Sequence, residues 1–203
     1  MLKVGGDLAL ALAVTTAFGK PIIKERVRIL RPAEYNALRE GARELDNKTN
    51  LDALTLTGLR YVEAQRFKEN KDWFDGTFIH LPEAALLKAK RKQKERWVRV
   101  SPRGSSVLQY FFAAKALPSY KTWTENLERW AKRSGLDPVG LSPKTTRKTW
   151  ESWLVSCYPE RTAEIFLNQG HTTMTSLHHY LNMPFLQSDK EQMLEWTGGL
   201  FEK

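Results

Sequence analysis

The heptapeptide TGLRYVE, residues 57–63, marks the junction of two predicted helices. Apolar spacing predicts a helix over Leu51–Leu56, and Gly58 suits the left-handed conformation that often ends a helix. A second helical stretch, Tyr61–Lys68, follows at once, so Arg60 lies at its start. An arginine after a glycine cap usually only solvates a helix end. The junction alone therefore indicates a fold and no function.

Helical spacing of apolar residues continues on both sides of this junction. Tyr35, Leu38, Ala42 and Leu45 recur three or four residues apart after Pro32, which suits a first helical position. Further helices are predicted in the C-terminal half, over Ser106–Ala116, Thr122–Arg133, Pro143–Tyr158, Pro159–Asn168, Met174–Asn182 and Leu186–Trp196.

The middle of the chain has the signals of a β-hairpin. Asp75-Gly76 is a turn signal, and Thr77–Leu81 and Arg96–Val100 are β-like segments that fit two antiparallel strands. The predicted fold class is α+β, mostly helical with one small antiparallel sheet.

Length and composition predict one ordinary domain. The 203 residues divide into an expected linker or packing arm at 1–24, a main domain at 25–185 and a C-terminal tail helix at 186–203. The longest apolar stretch, Leu8–Phe18, has 11 residues, too few for the roughly 20 that cross a bilayer. One cysteine cannot form an internal disulfide, so we expect an intracellular protein. Most of the seven tryptophans are expected in the core.

Positive charge is concentrated between the two predicted strands. The formal net charge is +9, and residues 88–99, with seven basic residues and one acidic residue, carry +6 of it. A basic excess favours a polyanionic partner, with nucleic acid first. A solvated hairpin with no binding role is the alternative interpretation of the segment.

Several familiar catalytic sites are excluded by spacing. The chain has no glycine-rich phosphate loop, no dinucleotide fingerprint, no zinc-type Cys and His spacing, no HExxH helix and no G-x-S-x-G turn. We therefore expect no metal and no cofactor.

Five separated pieces stand out in order along the chain. They are TGLRYVE at 57–63, the basic hairpin, Lys144-Thr145-Thr146-Arg147, Gly170-His171, and Tyr180 nine residues later. Each is weak alone, but together they resemble the catalytic domain of the tyrosine recombinases, the phage-type integrases. The family motifs are T-G-L-R-x-x-E, a hairpin lysine, H/K-x-x-R, and G-H followed by the nucleophilic tyrosine. Lys144 in the second motif and residues 177–182 are most similar to integrases of archaeal viruses and integrated plasmids.

The resemblance implies an activity and a set of roles. Such an enzyme is a site-specific recombinase that cleaves and rejoins DNA through a covalent 3′-phosphotyrosyl intermediate, integrating or excising a viral or plasmid genome. Arg60 and Arg147 would clamp the phosphate, with Glu63 in support. His171 and Lys144 would add donors, and Tyr180 would be the nucleophile. A hairpin lysine would protonate the leaving oxygen; Lys94 and Lys92 are favoured, with Lys90 also open.

The resemblance also implies partners. The partner is a double-stranded DNA attachment site in the host cytoplasm, and DNA contacts are expected from Lys88, Lys90, Arg91, Arg96, Arg99 and Lys148. Family members form tetramers on DNA, with Holliday-junction intermediates, by exchanging C-terminal tails; docking of the tail on its own domain is the equal alternative here. Residues 1–24 are too short for the family's N-terminal DNA-binding domain, which predicts an isolated catalytic domain, the product of a split gene or a minimal recombinase.

Three other functions remain as alternatives. A catalytically silent DNA-binding module on the same fold would use the basic hairpin without needing Tyr180. A metal-dependent nuclease or another helical nucleic-acid enzyme would lose activity in a chelator. A purely structural interaction protein would show no salt-sensitive affinity for DNA.

Overall fold

The computed structural model describes residues 18–83, 95–171 and 183–201, which form an α+β fold. The helices are α1 Pro32–Gly41, α2 Leu45–Thr57, α3 Tyr61–Glu69, α4 Pro102–Ala113, α5 Tyr120–Arg133, α6 Thr145–Cys157, α7 Thr162–Asn168 and α8 Gln187–Thr197. The strands are β1 Ile22–Lys24, β2 Val27–Ile29, β3 Phe78–Leu81 and β4 Arg96–Arg99. Short 3₁₀ turns cover Lys71–Trp73 and Pro159–Arg161.

The α+β class is confirmed, but the described residues contain two small sheets where one was predicted. Strand β3 pairs antiparallel with β4, in the register Phe78↔Arg99 to Leu81↔Arg96, as the sequence indicates. Strand β1 pairs antiparallel with β2 in a second hairpin that the sequence analysis missed.

The β1–β2 hairpin turns at Glu25 and Arg26, which both have positive φ, at 49° and 64°. Two-residue turns of this handedness usually contain glycine or asparagine. Because neither residue is present at this turn, the sequence did not predict the hairpin. The expected boundary at residue 24 falls inside this hairpin. Residues Ile22–Lys24 thus pair with the main domain.

Helices α2 and α6 form the centre of the molecule. Residues 49–57 of α2 are all buried, and α6 is buried over 149–155. Helix α6 also holds the segment after β2, because Trp153 Nε1 donates to the Leu30 oxygen at 2.8 Å and Thr149 Oγ1 accepts from the Leu30 nitrogen at 3.0 Å. Five tryptophans are buried in the core, as predicted: Trp123, Trp130, Trp150, Trp153 and Trp196.

The C-terminal tail docks on its own domain. Helix α8 packs against α6 and α1, and Met193, Trp196 and Leu200 are buried in the core. The Trp196 ring meets the Tyr35 ring edge-on at 5.0 Å. In the single chain, the tail thus has the second of the two arrangements considered for it.

Across residues 18–83, 95–171 and 183–201, no helix combines the length and apolar character needed to span a membrane.

Candidate functional site

Gly58 sets the geometry of the junction between α2 and α3. It ends α2 in the left-handed conformation, with φ of 60°, as its sequence context predicts. A Cβ atom there would lie 2.6 Å from Gln169 Oε1 and 2.8 Å from Trp150 Cδ1. Only glycine fits this close approach. The turn at Gly58 then places Arg60 at the N-terminus of α3.

Glu63 organises the arginines around it. Its carboxylate accepts from the Arg60 backbone nitrogen at 2.9 Å, from Arg60 Nη1 at 2.7 Å and from Arg96 Nη2 at 2.7 Å. Burial alone would raise the pKa of Glu63, but the charges of Arg96, Arg60 and Arg147 outweigh it and lower the pKa to about 2. Glu63 is therefore ionised and holds Arg60 through its backbone nitrogen and its guanidinium.

Arg147 reaches the same place from the first turn of α6. Its Nη1 donates to the Gly58 oxygen at 2.9 Å, and its Nη2 donates to the Gln169 oxygen. The same Nη2 lies 3.0 Å from Glu151 Oε1, one turn along the helix. These contacts tie the second predicted motif to the first, between residues 89 positions apart in sequence.

His171 joins the site through Glu151. Its Nε2 lies 2.9 Å from the same Glu151 Oε1 that contacts Arg147. An ionised carboxylate only accepts hydrogen bonds, so with Glu151 ionised the contact requires the form of His171 in which Nε2 carries a hydrogen. The Glu151 side chain is 1% exposed. Glu151 is thus a buried link between Arg147 and His171.

The cluster has an excess of positive charge. The pKa of Arg60 is lowered by burial first and then by the charge of Arg147, with Arg96 adding to the effect. Glu63 acts in the opposite direction but does not cancel these effects. The Arg60 side chain remains 34% exposed, so solvent or a ligand reaches it. An anion bound there would relieve the repulsion between the guanidinium groups.

Arg96 does not occupy the surface position expected of a DNA contact. Its side chain is 7% exposed and bonds Glu63 through Nη2 and the Asn168 oxygen through Nε, at 3.1 Å. Its Nη1 is buried and has no hydrogen-bond partner among the described residues. Gly170 lies directly against it, since a Cβ there would be 3.0 Å from Arg96 Cδ. Arg96 thus connects Glu63 with the turn that carries His171.

The remaining described candidates lie around this cluster. Lys144 is exposed and immediately precedes α6, one turn before Arg147. Arg99 Nη1 donates to the Leu200 oxygen at 3.1 Å. Lys148 Nζ bonds Glu25 Oε2 at 2.6 Å, and its side chain is 15% exposed. Arg99 and Lys148 therefore make contacts within the chain itself.

Six of the candidates lie outside the described residues, including the proposed nucleophile. They are Lys88, Lys90, Arg91, Lys92, Lys94 and Tyr180. Among the residues that are described, no group of three or more His, Cys, Asp and Glu side chains is arranged to hold a metal ion.

Sequence analysis missed one member of the cluster, Glu151, and placed another, Arg96, at the DNA-contacting surface. Glu151 stands four residues after Arg147, the spacing of an ion pair on one helix face, which could have identified it. Arg96 alternates with Val98, and Val98 faces the core, so the strand period places Arg96 on the buried side. Because arginine is charged, the sequence analysis expected Arg96 at the surface and did not apply the strand period to it.

Comparison with protein-family models and with curated protein sequences found no match to this chain.

Proposed function

We propose that this protein is a tyrosine-type site-specific DNA recombinase that integrates or excises a viral or plasmid genome. One observation carries the proposal. Arg60, Arg147 and His171, which belong to three separate motifs of the sequence resemblance, converge through Gly58, Glu63 and Glu151. Motifs that matched by chance would have no reason to meet in the fold.

The chemistry of the cluster suits a phosphodiester. Metal-free phosphoryl transfer must neutralise the charge on the two non-bridging oxygens, and guanidinium groups do so with a fixed fork of donors. Arg60 and Arg147 supply that fork. His171, oriented by Glu151, and Lys144 add further positive charge or donors. Burial lowers the pKa of Arg60 first, and the neighbouring charges of Arg147 and Arg96 lower it further.

In the proposed reaction, the Tyr180 oxygen attacks the scissile phosphorus and the bond to the 5′ oxygen breaks. The product is a 3′-phosphotyrosyl ester, which conserves the energy of the broken phosphodiester bond for rejoining. The phenol proton passes to a group of the cationic pocket. The departing 5′ oxygen takes its proton from a lysine of the basic segment, with Lys94 and Lys92 favoured and Lys90 open. No step needs a metal or a cofactor.

A catalytically silent DNA-binding module on the same fold is the second candidate. One observation favours it: Arg147 already directs donors to the Gly58 oxygen, the Gln169 oxygen and Glu151. A guanidinium has five N–H donors, so fewer than half are left for a phosphate.

The test is covalent trapping on nicked duplexes of randomised sequence, with a chelator present, analysed on a denaturing gel. We expect a protein–DNA adduct with the wild type that is lost in Arg60→Lys and Arg147→Lys, because an ammonium cannot reproduce the fork. Arg129→Lys, on the exposed side of α5, is the matched control and should keep the adduct.

Two results would contradict the recombinase. Salt-sensitive DNA binding without any adduct would favour the silent module. DNA cleavage that stops in the chelator would favour a metal-dependent nuclease.

A further inference from the structure

One tryptophan departs from the core position of the others. Trp97 is 51% exposed, whereas five of the remaining six are at most 6% exposed and Trp73 packs partly against the core. The Trp97 ring stacks on the His80 ring, with centroids 4.3 Å apart and planes inclined by 16°. A large, flat aromatic surface is therefore held in a fixed orientation at the surface.

This pair belongs to a wider surface on the β3–β4 hairpin. Alternation along the strands directs Ile79, Leu81 and Val98 into the core and leaves the opposite side chains outward. Those side chains form two cross-strand pairs, His80 with Trp97 and Phe78 with Arg99. The Arg99 guanidinium carbon lies 5.3 Å from the centre of the Phe78 ring. We call Phe78, His80, Trp97 and Arg99 the hairpin face.

We propose that the hairpin face binds unpaired DNA bases, one of which stacks on Trp97. The inference rests on the proposed function for its setting, because strand cleavage and exchange release nucleotides from their pairing partners. Aromatic side chains beside positive charge are the combination that binds single-stranded nucleic acid without sequence preference.

Charge selects the partner. The stretch 88–99 holds seven basic residues and one acidic residue. Among the residues that the structure describes, Arg99 lies on the hairpin face and Arg96 is turned inward to Glu63. A polyanion is attracted to a stretch of this net charge. Bases within a duplex are stacked on their neighbours and present only their edges in the grooves. A ring such as Trp97 can therefore stack only on a base that has left its pair.

The hairpin face adjoins the candidate active site. Arg96 and Trp97 are consecutive residues of β4, so their Cα atoms are about 3.8 Å apart. The Arg96 side chain runs inward to Glu63, while Trp97 lies on the opposite side of the strand. The hairpin face and the Arg96 contact with Glu63 thus lie on opposite sides of one strand.

The experiment measures affinity for two DNA duplexes that are identical except for a gap of four nucleotides opposite an intact strand. We expect Trp97→Ala to weaken binding to the gapped duplex about tenfold, as loss of one stacked base does, and to leave binding to the intact duplex unchanged. Trp97→Phe keeps an aromatic ring and should retain most of the affinity. Tyr110→Ala is the matched control, because Tyr110 on α4 is also exposed, at 68%.

The possible results distinguish failure of the binding surface from failure of the proposed function. Equal affinity of Trp97→Ala and wild type for the gapped duplex would overturn the inference and leave a protein partner for this face. An equal loss on both duplexes, or no preference of the wild type for the gap, would also overturn it. Adduct formation on nicked duplexes tests the proposed function separately. A selective loss on gapped DNA without any adduct would keep the binding surface and reject the recombinase.

Discussion

At the scale of single residues, Glu151 is the least expected member of the candidate site. It is buried and bonds both Arg147 and His171 through one oxygen atom. No reacting group needs to touch it, so we interpret it as a positioning residue that fixes the orientation of both side chains. Glu63 likewise contacts two side chains, the Arg60 guanidinium through Oε1 and the Arg96 guanidinium through Oε2. Two carboxylates thus arrange the cations that would bind phosphate.

Glu151→Gln should slow adduct formation by about tenfold or more, because an amide holds the two cations less firmly and small misplacements are costly in rate. DNA affinity should change little, since Glu151 itself faces the interior. Single-turnover rates and binding curves on the same nicked duplex check both points. Glu128→Gln, exposed on α5, is the control. An unchanged rate in Glu151→Gln would show that the link is structural only.

Glu63 makes a prediction about stability and pH. Its pKa is lowered from 4.5 to about 2 in the folded protein, so the ionised form favours folding. This contribution, on the order of 3 kcal/mol, is complete above about pH 5 and is lost as the pH falls toward 2. The urea midpoint of the wild type should therefore fall more steeply over that range than the midpoint of Glu63→Gln. Parallel curves would contradict the arrangement.

At the scale of elements, strand β4 and the turn after α7 are coupled. Arg96 of β4 contacts Glu63 and the Asn168 oxygen, and Gly170 lies against its side chain with φ of 71°. The sequence predicted β4, the helices on either side of Gly58 and the Gly170-His171 pair, because each has a local signal. It could not predict the coupling, which depends on contacts between residues 72 positions apart.

Gly170→Ala tests this coupling against a matched glycine. Gly135 has almost the same φ, 70°, but a Cβ there would meet nothing within 4 Å. Both alanine variants should lose about 1 kcal/mol of stability from the strained backbone. Only Gly170→Ala should also slow adduct formation, because its Cβ displaces Arg96. Equal rates in the two variants, after correction for folding, would show that Arg96 does not position the site.

At the scale of the whole molecule, a helical core supports a site made from distant segments. The α+β class and most helices follow from apolar spacing, while the β1–β2 hairpin escaped prediction because its left-handed turn uses Glu25 and Arg26. Docking of α8 on its own domain could not be decided from spacing either, since Met193 and Trp196 would serve equally in an exchanged tail. In the single chain, α8 contacts Tyr35 and the core of its own domain.

The measurement that tests the account most directly is the identity of the residue that bonds to DNA. The adduct from a nicked duplex would be digested with protease and nuclease, and the modified peptide located by mass spectrometry. The chain has six tyrosines, and we predict a nucleotide on Tyr180 alone, with no adduct in Tyr180→Phe. A nucleotide on any other residue, or an adduct that persists in Tyr180→Phe, would contradict the proposed chemistry.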